Sequence, residues 1–208
     1  MPSSRVDRPV VRSFKAKYEK NAAAWAKRGG HAVVWYSEKR VRLGLVVGEL
    51  VRYWAILDLG KSSWRVSLDG VLLGLAFMTI PADCIDIVRG WCTRDSIHEG
   101  PTRTLRLDCL ECGACCRSNE VVLTRPDIKR FRDGGRPELA ALPSARRRKD
   151  GKLVLRLLAG GDCRNLGSDN KCGIYTLRPD ACSEFPVGSE CCLYARDVEL
   201  GVLDGART

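Results

Sequence analysis

Apolar residues recur at three- and four-residue steps near the start of the chain, and lysines fill the positions between them. This spacing places the apolar residues on one face of a helix; they are Val11, Phe14, Tyr18, Ala22 and Trp25. Pro9 suits the entrance of such a helix, and Gly29-Gly30 suits its end. The pattern predicts a helix over residues 10–28.

The following segments predict one strand and two helices. Residues 31–36 are a short β-type run. Residues 38–59 have apolar residues at helical spacing. Two strands broken near Gly48 would also explain this pattern, and we favour the helix. A shorter helix is predicted from Pro81 to Trp91, because proline is well suited to the first turn.

Residues 65–80 have the pattern of a β-hairpin. The pair Asp69-Gly70 is favoured in tight turns and separates two short apolar runs. A two-residue turn at this point would place the first run opposite the second, with Val66 and Leu68 facing Val71 and Leu73.

Residues 93–104 are polar and rich in turn-forming side chains, so we place a domain boundary there. Residues 1–104 then form a small α+β region of unknown role, and residues 105–208 form a loop-rich domain. In the second domain we predict strands over 120–124 and 152–158, a helix over 126–132, an exposed basic loop over 136–151 and a short helix begun by Pro179. The predicted fold class is α+β.

The chain carries a net charge of +10, and two segments hold much of it. Residues 1–28 contain eight Lys and Arg against two acids, and residues 125–156 contain eleven against four. A basic surface attracts nucleic acid or an acidic protein partner. Because no recognised nucleic-acid motif accompanies the charge, we favour solvated loops and helix faces as its explanation.

The chain shows no targeting or membrane-spanning pattern. Its first residues are polar and charged, without the apolar core of a secretory signal. Its longest uncharged apolar run, residues 71–80, is about half of the roughly 20 residues that span a bilayer. We therefore expect a cytoplasmic protein without membrane contact, in which clustered cysteines bind metal or do redox work rather than form disulfides.

Nine of the eleven cysteines lie between Cys109 and Cys192. The first of them form a C-x₂-C-x₂-C run followed directly by Cys116, and the C-x₂-C spacing lets two sulfurs reach one ion. Gly113 permits the tight backbone that such a loop needs. The run matches the start of a bacterial ferredoxin motif, but the fourth ferredoxin position is Asn119. Cys163, Cys172, Cys182 and one of the later pair 191–192 bring the number of available thiolates to eight. Eight thiolates are enough for two four-ligand sites, or for one cluster plus a reactive pair.

The joint pattern resembles the YkgJ-type cysteine-cluster family, which carries a CxxCxxCC signature and is described as a zinc- or iron-chelating domain. The resemblance covers about residues 107–197 and includes Ile174-Tyr175, Arg178-Pro179 and Phe185. It implies that the metal, an iron–sulfur cluster or zinc, is held by Cys109, Cys112, Cys115, Cys116, Cys163, Cys172, Cys182 and Cys192. The choice of Cys192 over its neighbour Cys191 rests on this resemblance.

Three functions follow from these observations. The first is a metal-binding protein whose cysteines hold iron or zinc. The second is a metal-dependent redox or protein-modifying enzyme, and the third is a zinc-stabilised nucleic-acid-binding module. Cys84 and Cys92 are expected to be small buried residues, and His31 and His98 lack metal-ligand spacing. No nucleotide-binding or hydrolase motif is present, which disfavours an ordinary nucleotide-dependent or hydrolytic enzyme. Whether the protein is an enzyme of another kind is left open.

Overall fold

The chain was analysed as a computed structural model that describes residues 4–37, 40–45 and 65–204. It contains both helices and strands, which confirms the α+β class. The chain divides into two compact units. The N-terminal unit consists of the described residues of Arg5–Arg106, Gly188–Tyr194 and Leu203–Thr208, and the C-terminal unit contains Leu107–Val187 and Ala195–Val202.

The described residues of the first part of the chain form seven strands: β1 (Ser4–Pro9), β2 (Val11–Lys15), β3 (His31–Ser37), β4 (Arg40–Leu45), β5 (Arg65–Val66), β6 (Ala76–Thr79) and β7 (Thr102–Leu107). Five of them form a sheet in the order β2-β3-β4-β6-β5, and β1 pairs with β7. Only the β2–β3 pair of the larger sheet is parallel. The helices are α1 (Glu19–Lys27) and α2 (Ile85–Asp95).

The predicted helix over residues 10–28 is wrong in its first half. Residues 11–15 form β2, which pairs in register with β3 so that Val11 lies opposite His31. The helix begins only at Glu19, after a 3-10 turn, and it buries Trp25. The apolar β-branched and aromatic residues of this segment are compatible with both helical and strand periodicity. Pairing with the neighbouring strand makes the segment a strand.

The predicted helix over residues 38–59 is wrong over residues 40–45, which form β4. Hydrogen bonding to strands on both sides, β3 and β6, outweighs the helical spacing of the apolar residues. The remainder of that prediction, residues 38–39 and 46–59, lies outside the described part of the chain. The predicted strand over 31–36 and the helix after Pro81 are confirmed.

The predicted hairpin over residues 65–80 is confirmed as an antiparallel pair, but its turn is wrong. β5 pairs with β6 through Arg65 with Phe77 and Val66 with Ala76. The intervening residues form a longer connection in which Gly70 and Gly74 both adopt positive φ. Leu68 and Leu73, expected to pack across a tight turn, are instead 87% and 56% exposed.

Packing on the sheet forms the core of the N-terminal unit. Helix α2 contributes Val88 and Trp91, which pack against side chains of the sheet that are almost fully buried: Val11, Val33, Val41 and Met78. Cys84 and Cys92 are half-buried at the edge of this cluster. No helix in the described ranges is both long enough and apolar enough to cross a membrane.

A buried ionic cluster also lies within the N-terminal unit. Arg8 and Glu190 are each 1% exposed and form an ion pair. Arg94 binds the same carboxylate through two nitrogens, at 2.7 and 2.8 Å. Asp95, which is fully buried, accepts from Arg8, Arg103 and the Val11 amide at 3.5, 3.2 and 2.9 Å. Charges separated by as many as 182 positions in sequence thus compensate one another.

The C-terminal unit is built from short elements. These are α3 (Cys109–Cys112), α4 (Arg125–Asp133), β8 (Ala145–Arg147), β9 (Leu153–Leu155) and α5 (Asp180–Ser183). A further helix, α6 (Glu190–Leu200), was not predicted; its residues 190–194 belong to the N-terminal unit and its residues 195–200 to the C-terminal unit. Strands β8 and β9 pair antiparallel, and the core consists of Leu123, Phe131, Leu139, Ala145, Leu155 and Ile174.

Two predictions for the C-terminal unit need correction. The strand over 120–124 is reduced to a single bridge between Val122 and Val154. The loop over 136–151 is not fully exposed, because a 3-10 turn and β8 bury Leu139 and Ala145 to 1% exposure each. The helix over 126–132 is confirmed, as is the strand over 152–158 in shorter form.

Candidate metal centre

Six of the eight predicted ligand cysteines line one cavity of about 270 Å³ in the C-terminal unit; they are Cys109, Cys115, Cys116, Cys163, Cys172 and Cys182. They come from three stretches of sequence: the first ends at Cys116, the second runs from Cys163 to Cys172, and the third carries Cys182. The remaining walls are largely apolar. This gathering of thiols is the main chemical feature of the unit.

The first stretch folds as two consecutive single turns. The Asp108 side chain caps α3 by accepting from the amides of Leu110 and Glu111, at 2.9 and 3.4 Å. Gly113 ends α3 with φ +61°, and a Cβ there would lie 3.0 Å from the Asn170 carbonyl oxygen. A 3-10 turn over Ala114–Cys116 follows. Asp108 therefore has a structural role as the N-cap of α3.

The second stretch is tied directly to the first. The Cys163 amide donates to the Cys116 carbonyl at 2.8 Å. The Arg117 guanidinium binds Asp162 at 2.9 Å and the Asn170 side-chain oxygen at 2.6 Å. Cys172 then pairs through a β-bridge with Leu166. These contacts bring Cys163 and Cys172 to the cavity.

The third stretch, which carries Cys182, is held by α4. Thr124 and Asp127 form a capping box at the start of α4. The other oxygen of the Asp127 carboxylate accepts from the Asp180 amide at 2.9 Å, at the start of α5. Arg130 adds a bond to the Arg178 carbonyl at 3.1 Å. The T-x-x-D spacing is visible in the sequence, but its bond to Asp180 is not.

The protonation of the cavity thiols differs from one sulfur to the next. A hydrogen bond from Cys115, supported by the charges of Arg117 and Arg178 and opposed by burial, lowers the pKa of Cys116 to about 7. Burial, with the neighbouring thiols 116, 163 and 172, raises the pKa of Cys182 to about 12. A thiolate in this cavity disfavours deprotonation of its neighbours, because like charges repel. A bound cation would offset that repulsion.

Arg178 is the one charged side chain among the cavity-lining residues of the described structure, and no carboxylate accompanies it. Its guanidinium carbon lies 4.2 Å from the centre of the Tyr175 ring. Ile174, Tyr175 and Phe185, which are part of the family resemblance, all line the cavity. A soft sulfur donor set with one cation and no hard oxygen anion suits zinc or iron, and does not suit calcium or magnesium.

Residues 108–199 match the family model CxxCxxCC, whose description is "Putative zinc- or iron-chelating domain". We call this matching segment the CxxCxxCC domain. The match covers less than half of the chain and includes all six cavity cysteines. No match was found among curated proteins or among solved structures. Zinc- or iron-chelating chemistry is therefore the function associated with this domain.

Two predicted ligands of the CxxCxxCC domain lie apart from the cavity lining. The Cys112 sulfur accepts a hydrogen bond from Arg196 at 3.1 Å. Cys192 lies on α6 in the segment that belongs to the N-terminal unit, where its amide donates to the Ser189 hydroxyl at 3.2 Å. Cys191 lies in the same segment, so the choice between them stays a prediction.

The cavity thiols of the CxxCxxCC domain do not form a ready coordination sphere. Across residues 4–37, 40–45 and 65–204, no three His, Cys, Asp or Glu side chains are placed to hold a metal ion as they stand. The fit to a metal thus rests on the sulfur donors and their shared cavity. Binding requires the thiols to lose protons and to close on the ion.

Proposed function

We propose that the CxxCxxCC domain holds a polynuclear, thiolate-bound metal centre, with an iron–sulfur cluster as the leading assignment. The observation that carries the proposal is the gathering of six cysteines around one cavity of about 270 Å³. A mononuclear structural zinc site takes four ligands and closes around them. Six thiols around a common space suit a larger centre that bridges several metal ions.

Within this proposal, Cys116, Cys163, Cys172 and Cys182 form the inner ligand set. All four line the cavity, and the Cys163 amide donates to the Cys116 carbonyl at 2.8 Å. Cys109 and Cys115 line the same cavity and extend the set. The positive charges of Arg117 and Arg178 favour the thiolate at Cys116, the form that binds metal. A bound cluster of this kind would supply electron transfer or structural cross-linking. A reducing compartment such as the cytoplasm would keep the free thiols from forming disulfides.

The proposal predicts that single inner-ligand substitutions remove the metal. In Cys172→Ser and Cys182→Ser, iron per chain should fall to a small fraction of the wild-type value, since the hydroxyl is a poor replacement for a thiolate. Cys84→Ser is the matched control, because Cys84 packs at the edge of the sheet core in the N-terminal unit. Metal content is measured by elemental analysis after anaerobic purification.

Zinc is the second candidate, because the family description names both metals. Stoichiometric zinc that is lost in Cys172→Ser would favour the smaller site over the cluster. Equal metal content in the wild type and both inner-ligand variants would contradict the ligand assignment itself.

A further inference from the structure

We propose that the β8–β9 hairpin of the C-terminal unit binds the phosphate backbone of a nucleic acid. The hairpin and its flanks, residues 144–156, are called the basic arm. The arm contains six basic residues and a single acid, Asp150; the basic residues are Arg146, Arg147, Arg148, Lys149, Lys152 and Arg156. All six are exposed. The proposal does not depend on which metal the cavity holds.

The arm is a fixed structure rather than a loose charged loop. Arg147 pairs with Leu153 across the hairpin, and the Arg148 amide donates to the Lys152 carbonyl at 2.8 Å. Gly151 completes the turn with φ +82°. Ala145 on β8 and Val154 on β9 are 1% and 0% exposed. Because the backbone is anchored in the core, the arm presents its charges without a large ordering cost on binding.

Half of the positive charges on the arm have no acidic partner. Glu120 pairs with Arg146 and Arg148, at 2.6 and 3.0 Å. Asp150 reaches Arg148 and Lys152 only at 3.5 and 4.0 Å. In the part of the chain that the structure describes, Arg147, Lys149 and Arg156 form no ion pair; the Arg147 guanidinium donates only to the Gly151 carbonyl, at 2.7 Å. Exposed ion pairs such as those of Glu120 are weak and can be exchanged for phosphate.

The composition of the arm favours a nucleic acid over an acidic protein. Protein–protein interfaces have an apolar centre, often built on aromatic residues. The large apolar side chains of the arm, Leu153, Val154 and Leu155, are buried or half-buried in the unit. Four of its six cations are arginines, whose planar guanidinium groups match phosphate oxygens in pairs. Nucleic-acid interfaces are polar and positively charged, as this surface is.

The test is fluorescence anisotropy of the full-length, metal-loaded protein with a labelled single-stranded RNA and a labelled DNA duplex. The arm variant is Arg147→Gln/Lys149→Gln/Arg156→Gln, which removes the three unpaired charges. The control, Lys15→Gln/Lys17→Gln/Lys20→Gln, removes the same charge from exposed lysines of the N-terminal unit. Unchanged metal content and circular dichroism show that each variant folds.

We expect the wild type to bind at least one probe and the arm variant to lose about tenfold or more in affinity, while the control changes by less than about threefold. The slope of log K against log salt should fall by roughly 2 to 3 for duplex, as expected for three lost phosphate contacts. Three results would overturn the proposal: no binding of either probe at about 50 mM salt, equal losses in the two variants, or arm-dependent binding of a polyglutamate peptide but not of either nucleic acid.

Discussion

Cys112 differs from the other cysteines of the CxxCxxCC run in what its sulfur contacts. Its partner is the Arg196 guanidinium at 3.1 Å, and it is not among the residues that line the cavity. Arg196 lies on α6, more than 80 positions later in the chain. A charged donor fixed on sulfur orients the side chain, and such supporting contacts tune metal affinity in thiolate sites.

Arg196 is therefore predicted to support metal binding without being a ligand. Arg196→Met keeps most of the side-chain volume but loses the hydrogen bond, and metal affinity should fall by about 10- to 100-fold. The measurement is competition with a chelator, and Arg132→Met, an exposed substitution on α4, is the control. Equal affinity in both variants and the wild type would show that the Cys112 contact has no influence on the metal.

The sequence identified the chemistry of the site but not its supporting contacts. Cysteine spacing and the family resemblance predicted all six cysteines that line the cavity, because short-range spacing is visible in sequence. The contacts of Arg117 with Asp162 and Asn170 span 45 and 53 positions. Such pairs depend on how distant loops meet, which no local pattern encodes.

Helix α4 contributes to the site through its N-terminal cap. Asp127 is fully buried and accepts from Thr124, Arg130 and the Asp180 amide. Burial alone would raise the pKa of this carboxyl, but the hydrogen bonds from Thr124 and Asp180 and the Arg130 charge lower it. One carboxylate therefore links α4 to α5, the helix that carries Cys182.

Loss of this carboxylate should destabilise the C-terminal unit. Asp127→Ala removes the cap and leaves the Asp180 amide without its partner, so we expect a loss of about 2 to 4 kcal/mol in unfolding free energy. Asp133→Ala, at the exposed end of the same helix, should cost well under about 1 kcal/mol. Urea unfolding followed by circular dichroism makes the comparison. A similar cost for the two variants would contradict the role of Asp127.

At the scale of elements, a helix with strong local signals was predicted correctly. A segment whose apolar spacing is compatible with both a helix and a strand was not. Helix α4 has a proline, a capping residue and a terminal glycine, and its prediction was confirmed. Residues 11–15 have apolar spacing compatible with a helix, yet parallel pairing with β3 makes them a strand. The sequence did not predict helix α6, because its buried residues contact distant parts of the chain. Glu190, for example, pairs with Arg8.

At the scale of the whole molecule, buried charge makes stability depend on pH. Burial and the nearby Arg8 charge hold the pKa of His31 well below its usual value of 6.5. Burial would raise the pKa of Asp95, but Arg8, Arg94 and the Val11 amide lower it. For both groups the folded pKa lies below the unfolded one, so the unfolded state gains protons first as the pH falls.

Acid should therefore destabilise the protein in two stages. Below pH 6.5, the unfolded-state pKa of His31, stability should fall by up to about 1.4 kcal/mol per pH unit. The Asp95 contribution is lost only below about pH 4. Urea midpoints measured between about pH 7.5 and 5 should decline more steeply for the wild type than for His31→Gln. Parallel declines would exclude His31 as the source.

The buried ions of the N-terminal unit allow a separate test. Glu190→Gln removes the charge that faces Arg8 and Arg94, and we expect a loss of about 3 to 5 kcal/mol in unfolding free energy. The exposed pair of Arg89 and Asp86 provides the control, since Asp86→Asn should have little effect. Comparable urea midpoints for Glu190→Gln and the wild type would contradict a stabilising role for the cluster.

The central claim is that the CxxCxxCC domain holds a polynuclear thiolate centre. It is tested most directly by measuring iron, zinc and acid-labile sulfide in anaerobically purified protein, together with its visible absorption. We predict iron and sulfide in comparable amounts and a broad absorption that is lost in Cys172→Ser. Colourless protein with a single zinc per chain and no sulfide would contradict the claim.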